Sequence, residues 1–568
     1  MSKKFVARKN YIASCPCCGS PVIPQSSPNM LFDKLSAARV TNGVSYGSVV
    51  IPRGKASTLT EGEASIVVVG SPLTSTLPHS IVTVPVQEVG EERKELKQEK
   101  SVGITLRIGV FFEGALSNAN HRPLGLLSSA THPIKLRELG ASFKYMDEPD
   151  RGYENGPSNA KKLSELYRTT DPIKKSDPWH EVFKMLYIED LNTRSGNKNN
   201  GGSDETEVLD KVDEAFRLLT KSILKFSLAN SNEKIANLTL DIFGVGLGGA
   251  AARHFANEVA LGSYGPLGAL FKLLKRSFHE TFTSEYQYDV QIGFIGLFDT
   301  VNSLSGLGKL GYVQCKKTPG LKLDLPRKLF PNVLHLAARD EMRSNFPLAG
   351  VEPDHPEITL PGAHSDIGGG YPPVSNECLL VSPMQVLEVS LTADVKDTSI
   401  YHDAQHAMAQ WLAKDWPADA LEIVTPTTEV LPTTSRKRIC AALQIKRQVR
   451  GELSQVYLRV MYELAKQKGV PLVPYKELHS DYVIPTELQA MCNRFIVGDF
   501  STTPDEERLL KQRYIHVSAH WNPPRPLHDS TSHTRVRLFY FNAPTEDRRR
   551  VQFSRPPARN DEHTDLMV

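Results

Sequence analysis

From residue 104 onward, nearly continuous apolar runs alternate with stretches of helical spacing. Ile104–Phe112, Leu238–Phe243, Val290–Phe298 and Val333–Ala338 read as strands covered on both faces, because a half-exposed strand would alternate with polar residues. Glu205–Leu224, Gly249–Ala260 and Leu267–Arg276 place their apolar residues at helical spacing. Strands and helices in alternation predict an α/β domain with a mostly parallel sheet. Functional residues of such domains sit on loops at the carboxyl ends of the strands. Residues 380–540 are mixed. Within them Leu453–Lys468 aligns Leu453, Val456, Tyr457, Val460, Met461 and Leu464 on one core-facing stripe. Ala260–Leu274 reads as a buried helix, with an apolar membrane-contacting flap as the alternative.

Residues 1–86 have a different texture. Short strand-like runs, Ser48–Ile51, Ala64–Val69 and Ser80–Pro85, are punctuated by Gly19-Ser20-Pro21, Pro52-Arg53-Gly54 and Gly70-Ser71-Pro72. That pattern predicts a small all-β module. Residues 87–103 follow as a charged linker, since Gln87 to Lys100 has almost nothing apolar to bury. The α/β domain then covers 104–545, and 546–568 is a polar tail, read as disordered.

The length of 568 residues implies two or more domains. Sixty-seven Lys+Arg against 64 Asp+Glu leave a formal charge of +3, which argues against nucleic-acid binding as the main activity. Seven cysteines are too few for a disulfide scaffold and fit synthesis in a reducing compartment. The longest apolar runs fall far below a membrane span. The basic start Met1–Lys9 is not followed by an apolar signal core, so export would need another route.

Three segments carry candidate chemistry. In Leu238–Phe255 an apolar strand runs through Gly244-Val245-Gly246-Leu247-Gly248 into an Ala-rich helix. This is the setting of a nucleophile elbow, G-x-S-x-G, where a helix N-terminus supplies amide donors and dipole to an oxyanion. Gly246 stands where the nucleophile belongs. A phosphate-binding turn or a close-packed turn without chemistry remain alternatives; no acidic residue ends a clear second strand downstream, which weakens the dinucleotide reading. In Gly293–Val301 a carboxylate, Asp299, ends an apolar strand, where either a triad acid or a turn cap belongs. In Leu360–Tyr371, His364 stands before Gly368-Gly369-Gly370, a loop shaped to present an imidazole. A zinc site on His364 and Asp366 lacks a nearby third ligand.

Together and in this order, the three segments resemble the α/β-hydrolase domain of the type VI secretion lipase effectors, family 1, bacterial phospholipases delivered into rival cells. The resemblance spans roughly residues 104–545 and includes Gly451–Tyr462 and Tyr514–Trp521. Its elbow, approximately G-F-S-R-G-A-A-A-A-R-H-F, is matched through Ala251-Ala252-Arg253-His254-Phe255. The resemblance implies that Asp299 is the acid and His364 the base, with the Leu247 N–H as one oxyanion donor and Gly114 as the second. It needs no cofactor in this domain. The chain departs from the pattern at Gly246, Val245, Leu247 and Gly249, and at Glu113, Ala115 and Asp190. Drift at several edges at once points to natural degeneration or a changed activity. Ser365, beside His364, is a poor replacement nucleophile, because neighbouring residues rarely present both side chains to one point.

The N-terminal module resembles a PAAR tip domain, the β-cone that caps a type VI spike, through Phe5–Arg8, Gly19–Ile23, Asn29–Val40 and Gly47–Ile51. Cys15, Cys17 and Cys18 fall where such tips bind zinc, and are either thiolate ligands or plain turn cysteines. The implied partners are the spike protein, a phospholipid membrane surface and an immunity protein, with no nucleic acid. The implied route is cytoplasmic synthesis, export without a signal peptide, and action at the target periplasm or membrane. Three functions follow: a lipid-ester hydrolase with an unusual nucleophile, a pseudo-lipase that binds lipid or protein, or a delivery component of the spike.

Overall fold

In this computed structural model the described residues are 102–114, 156–170, 181–189, 204–230, 232–301, 320–426, 429–431, 435–475, 480–522 and 542–553, with six two-residue strands before residue 102. The chain divides into two units, Met1–Ser101 with Gly268–Phe278, and Val102–Leu267 with His279–Val568. In the first, the short strands pair antiparallel: Ala13–Ser14 with Ile81–Val82, Leu31–Phe32 with Leu35–Ser36, and Thr60–Glu61 with Ala64–Ser65. Cys15, Cys17 and Cys18, the PAAR-like motifs apart from these strand residues, and the charged stretch Gln87–Lys100 lie outside the described residues.

The second unit is built on six strands. They are β1 (Val102–Phe112), β2 (Glu181–Ile188), β3 (Glu233–Val245), β4 (Val290–Phe298), β5 (Val333–Ala338) and β7 (Ile358–Leu360), in the order β7-β5-β4-β3-β1-β2. Every neighbouring pair is parallel. The predicted parallel α/β sheet is therefore present, and β4 and β5 begin and end where the apolar runs do.

Strand alternation sends successive side chains to opposite faces, and helices cover both. On one face Phe111 stacks on Phe243, with centroids 4.9 Å apart, and joins α1 (Asn159–Leu166), α6 (Leu453–Gln467) and α7 (Thr486–Ile496) in one core. The predicted stripe on α6 supplies Leu453, Val456, Tyr457, Val460 and Met461 to that core, all fully buried. On the other face Phe112 meets Phe255 of α3 (Leu247–Ala260), which meets Phe216 of α2 (Asp204–Ala229). Ala250, Ala251 and Ala252 are fully buried, so α3 lies close to its neighbours. Asp241 is buried in the sheet, where it accepts from Arg107 Nε at 2.8 Å and Nη2 at 3.0 Å and from the Tyr167 hydroxyl at 2.7 Å.

An antiparallel sheet follows, which the mixed texture of 380–540 did not reveal. Its long strand Arg436–Arg450 pairs with Val374–Leu380, Gln385–Ser390, Leu421–Val424 and Glu429–Leu431. The helix expected over Leu267–Arg276 runs Pro266–Leu273 and is followed by a 3-10 turn, Lys275–Ser277. Across Ala260–Leu274, Leu267, Leu270 and Phe271 are buried while Tyr264 and Leu273 are exposed. Among the described residues no helix is long and apolar enough to cross a membrane.

Register positions the site. Phe112 pairs with Gly244, and Val245 with Phe298, so β1, β3 and β4 end side by side. The residues that follow them, Glu113, Gly246 and Asp299, emerge at one edge. Leu360 of β7 pairs with Ala338 of β5, and the chain then turns into α4 (His364–Gly368) at the same edge.

Candidate active site

Gly246 links β3 to α3 with φ 56° and ψ −122°. L-residues rarely adopt that backbone, and a strained strand-to-helix turn of this kind is the geometry of a nucleophile elbow. Its N–H donates to the Phe298 carbonyl at 3.0 Å, and its carbonyl accepts from Gly249 at 2.9 Å. Gly248 lets the helix approach β1, since a Cβ there would lie 2.4 Å from the Phe112 carbonyl oxygen. A Cβ on Gly246 would lie 3.0 Å from both Cε1 and Nε2 of His364. The sequence-predicted base is thus aimed at the position where a residue-246 side chain would stand.

His364 and Asp299 are joined through Nδ1 and Oδ2 at 2.6 Å. Asp299 is fully buried, with φ 44°. Its Oδ1 accepts from the Ala338 N–H at 2.8 Å and from Arg550 Nη1 at 2.5 Å, and its Oδ2 also accepts from Arg550 Nη2 at 2.8 Å. Burial by itself would raise this carboxyl, but Arg550 and then His364 outweigh it and hold it well below the usual carboxylate range. Nε2 of His364 makes no hydrogen bond to a described residue, and the Phe346 ring meets the imidazole edge-on at 5.0 Å. With Nδ1 held by the carboxylate, Nε2 is the ring nitrogen left to face residue 246.

Two buried carboxylates hold the His364 segment. Glu341 accepts the His364 N–H at 3.2 Å, the Arg343 guanidinium at 2.9 Å and the Ser518 hydroxyl at 3.0 Å. Burial pushes Glu341 up, yet Arg343 foremost and Arg550 bring it down to about 2. Asp366 Oδ2 accepts the N–H groups of Ala363 at 2.9 Å and His516 at 3.0 Å, while Oδ1 meets His516 Nδ1 at 2.7 Å. Nε2 of His516 meets the Ser375 hydroxyl at 2.9 Å. This second serine–histidine–carboxylate chain is sealed, with all three residues buried and the Tyr371 ring stacked 3.6 Å from His516. It anchors α4 rather than facing a substrate. Asp366, considered above with His364 as a zinc pair, belongs to this anchor. Among the described residues no group of three metal-ligating side chains forms.

The predicted oxyanion donors fare differently. Leu247 begins α3, so its N–H is among the first-turn amides that have no intrahelical acceptor. The Gly114 N–H, in contrast, donates to Glu113 Oε1 at 3.0 Å. A longer carboxylate than aspartate folds back on the next amide, and its Oε2 accepts from Ser158 at 2.7 Å and from Tyr187. Burial first, and then Glu113, push the Tyr187 phenol up. Lys211, fully buried, donates to the Glu113 carbonyl at 2.8 Å. Arg253 of the matched elbow motif is structural, clasping the carbonyls of Leu323, Ala349 and Gly350.

The structure therefore brings Gly246, Leu247, Asp299 and His364 together, with the Gly114 N–H held by Glu113. Sequence reading missed Arg550, assigned to the polar tail. Residues 546–553 are instead held against Leu348–Ala349 (β6) by the strand Gln552–Phe553, because Arg550 has a buried carboxylate to neutralise. No periodicity signals such a partner. Glu341 carried no signal either, whereas His516 and Ser518 lay within a motif already singled out.

A family model described as the catalytic domain of the type VI secretion system phospholipase effector Tle1-like family matches residues 211–409. The solved structure of the Tle1 effector bound to the VgrG spike from the type VI secretion system aligns with a TM-score of 0.65 and 24% identity, over 82% of this chain and 98% of that one. At that identity it shows the fold. A crystal structure of an uncharacterized protein from Pseudomonas aeruginosa aligns with a TM-score of 0.29 and 15% identity, over 72% of this chain and 53% of that one, which carries no argument. No curated protein matches the sequence. Gly246, Asp299 and His364 all lie within 211–409, the segment of this chain that matches the catalytic-domain model of the Tle1-like phospholipase effectors of the type VI secretion system.

Proposed function

We propose that this chain is an antibacterial effector carried on a type VI spike and directed at the carboxylic esters of membrane phospholipids, with a site that cannot form an acyl-enzyme. The observation that carries this reading is the contact at Gly246: His364 Nε2 faces the place of a nucleophile that the residue does not supply. In a complete triad, serine attacks the ester carbonyl, histidine takes its proton, and aspartate orients the imidazolium. Here Asp299 and His364 keep their hydrogen bond and the α3 N-terminus remains beside them. Loss of the serine from such a unit costs on the order of 10⁶ in kcat, leaving about 10³–10⁴ over water from binding and the oxyanion site.

Spike delivery is supported by the solved Tle1 effector, which is bound to the VgrG spike. The N-terminal module, as a PAAR-like tip, is the proposed attachment, with Cys15, Cys17 and Cys18 as its zinc ligands, and an immunity protein would cover the site in the producing cell. A second reading has one observation in its favour. The intact Asp299–His364 pair could activate a water at the nucleophile position for direct attack. Fatty-acid release from mixed phospholipid vesicles separates the two, comparing the native chain with Gly246→Ser and His364→Ala. Silence of the native chain with activity in Gly246→Ser supports the first reading. Native activity abolished by His364→Ala supports the second. Inactivity of every form refutes a lipid-ester site.

A further inference from the structure

We propose that the C-terminal strap, residues 542–553, completes the site, with Arg550 as a positioning residue that clamps Asp299 and keeps His364 a neutral acceptor aimed at residue 246. This rests on the reading of Asp299 and His364 as an acid–base pair, and its test needs no lipid turnover.

The strap is stitched along residues 342–350. Thr545 N–H donates to the Met342 carbonyl at 3.0 Å and Ser344 N–H to the Ala543 carbonyl at 3.0 Å. Leu348 N–H donates to the Val551 carbonyl at 2.8 Å and Gly350 N–H to the Phe553 carbonyl at 3.0 Å. Between these fixed points Arg550 turns inward until its side chain is 5% exposed. Its Nε donates to the Phe346 carbonyl at 2.8 Å, and Phe346 is the residue whose ring walls His364. Its two terminal nitrogens take both oxygens of Asp299. With Ala338 N–H and His364 Nδ1 also bound, each oxygen accepts two hydrogen bonds and the carboxylate has no freedom to rotate.

The charge has a consequence beyond geometry. A bare buried aspartate would strongly favour imidazolium, whereas one already neutralised by a guanidinium favours it less. A base that remains unprotonated can accept a proton at Nε2; an imidazolium cannot. The other groups facing His364 do not substitute for Arg550. Glu341 is committed to Arg343, Asp366 on the same helix is committed to His516, and the elbow presents only the uncharged backbone of Gly246.

The test follows the His364 ring by NMR across pH in the full chain, with its signal assigned by loss in His364→Gln. Arg550→Gln is expected to move the midpoint of ring protonation up by about one pH unit or more. Arg550→Lys retains charge but not the fork, so it should move the midpoint less. A midpoint unmoved by Arg550→Gln overturns the proposal. Where Arg550→Gln does not fold, Arg550→Lys decides: an upward shift supports the clamp, and no shift refutes it. In Gly246→Ser, the pH profile of labelling by a fluorophosphonate probe should shift up with Arg550→Gln by the same amount. Failure of the probe to label would refute the lipid-ester reading and leave the ring titration standing.

Discussion

Gly246→Ser adds one CH₂OH at a backbone position that L-residues rarely adopt. Holding a non-glycine residue there costs about 1–3 kcal/mol. The new Cβ would lie 3.0 Å from Cε1 and Nε2 of His364 and 3.9 Å from Val301 Cγ2, so the imidazole must withdraw by a few tenths of an ångström. That ring is tethered to Asp299 at 2.6 Å and walled by Phe346, so the adjustment adds to the cost rather than relieving it. Against this stands the catalytic gain. A complete triad is worth on the order of 10⁶ in kcat, about 8 kcal/mol at the transition state. Even imperfect placement that realises half of that free energy raises the rate by about 10³. Gly246→Ser should therefore be less stable than the native chain and more active. Its thermal midpoint should fall by a few degrees, and fatty-acid release from phospholipid vesicles should rise at least about 10³-fold. A folded Gly246→Ser protein with unchanged stability would refute the strain argument. A folded and destabilised one that releases no fatty acid would refute the assignment of residue 246 as the nucleophile position.

Asp299 gives a pH prediction. Its carboxyl is depressed in the fold, so the stability it contributes is complete above the unfolded value near pH 4 and is lost as pH falls below it. Asp299→Asn should be less stable than the native chain at pH 7 by about 3–5 kcal/mol, because Arg550 is left buried and unpaired. Urea midpoints measured from pH 7 to pH 3 should show that gap narrowing with acidity, and a constant gap would count against a depressed carboxyl. In the Gly246→Ser background, Glu113→Ala releases the Gly114 N–H and should raise kcat several-fold. It should also lower stability by about 1–3 kcal/mol as Ser158 and Tyr187 lose their acceptor. An unchanged kcat would place that N–H away from the oxyanion.

The outer frame of the site was legible from residue order. Continuous apolar runs announced a sheet covered on both faces, and each candidate group directly followed a strand or its turn, as Asp299 follows Val290–Phe298. Gly114 shows where that reasoning stops. Its position after β1 was legible, but whether its N–H is occupied depends on the rotamer of Glu113, set by Ser158 and Tyr187 from other elements. Arg550 lies 251 residues from Asp299, in a stretch whose composition resembles a solvated tail. Its burial is decided by a partner, and pairing between distant charges leaves no periodic trace.

The amino-acid order by itself determined the alternation of strands and helices, the elbow turn and the absence of a hydroxyl at residue 246, because these depend on local backbone preference and side-chain identity. Only the tertiary structure decided that His364 faces that residue, that Glu113 takes the Gly114 amide, and that a C-terminal guanidinium locks the acid. Those facts arise from strand register and from the need to neutralise buried charge, which act between residues far apart in the chain.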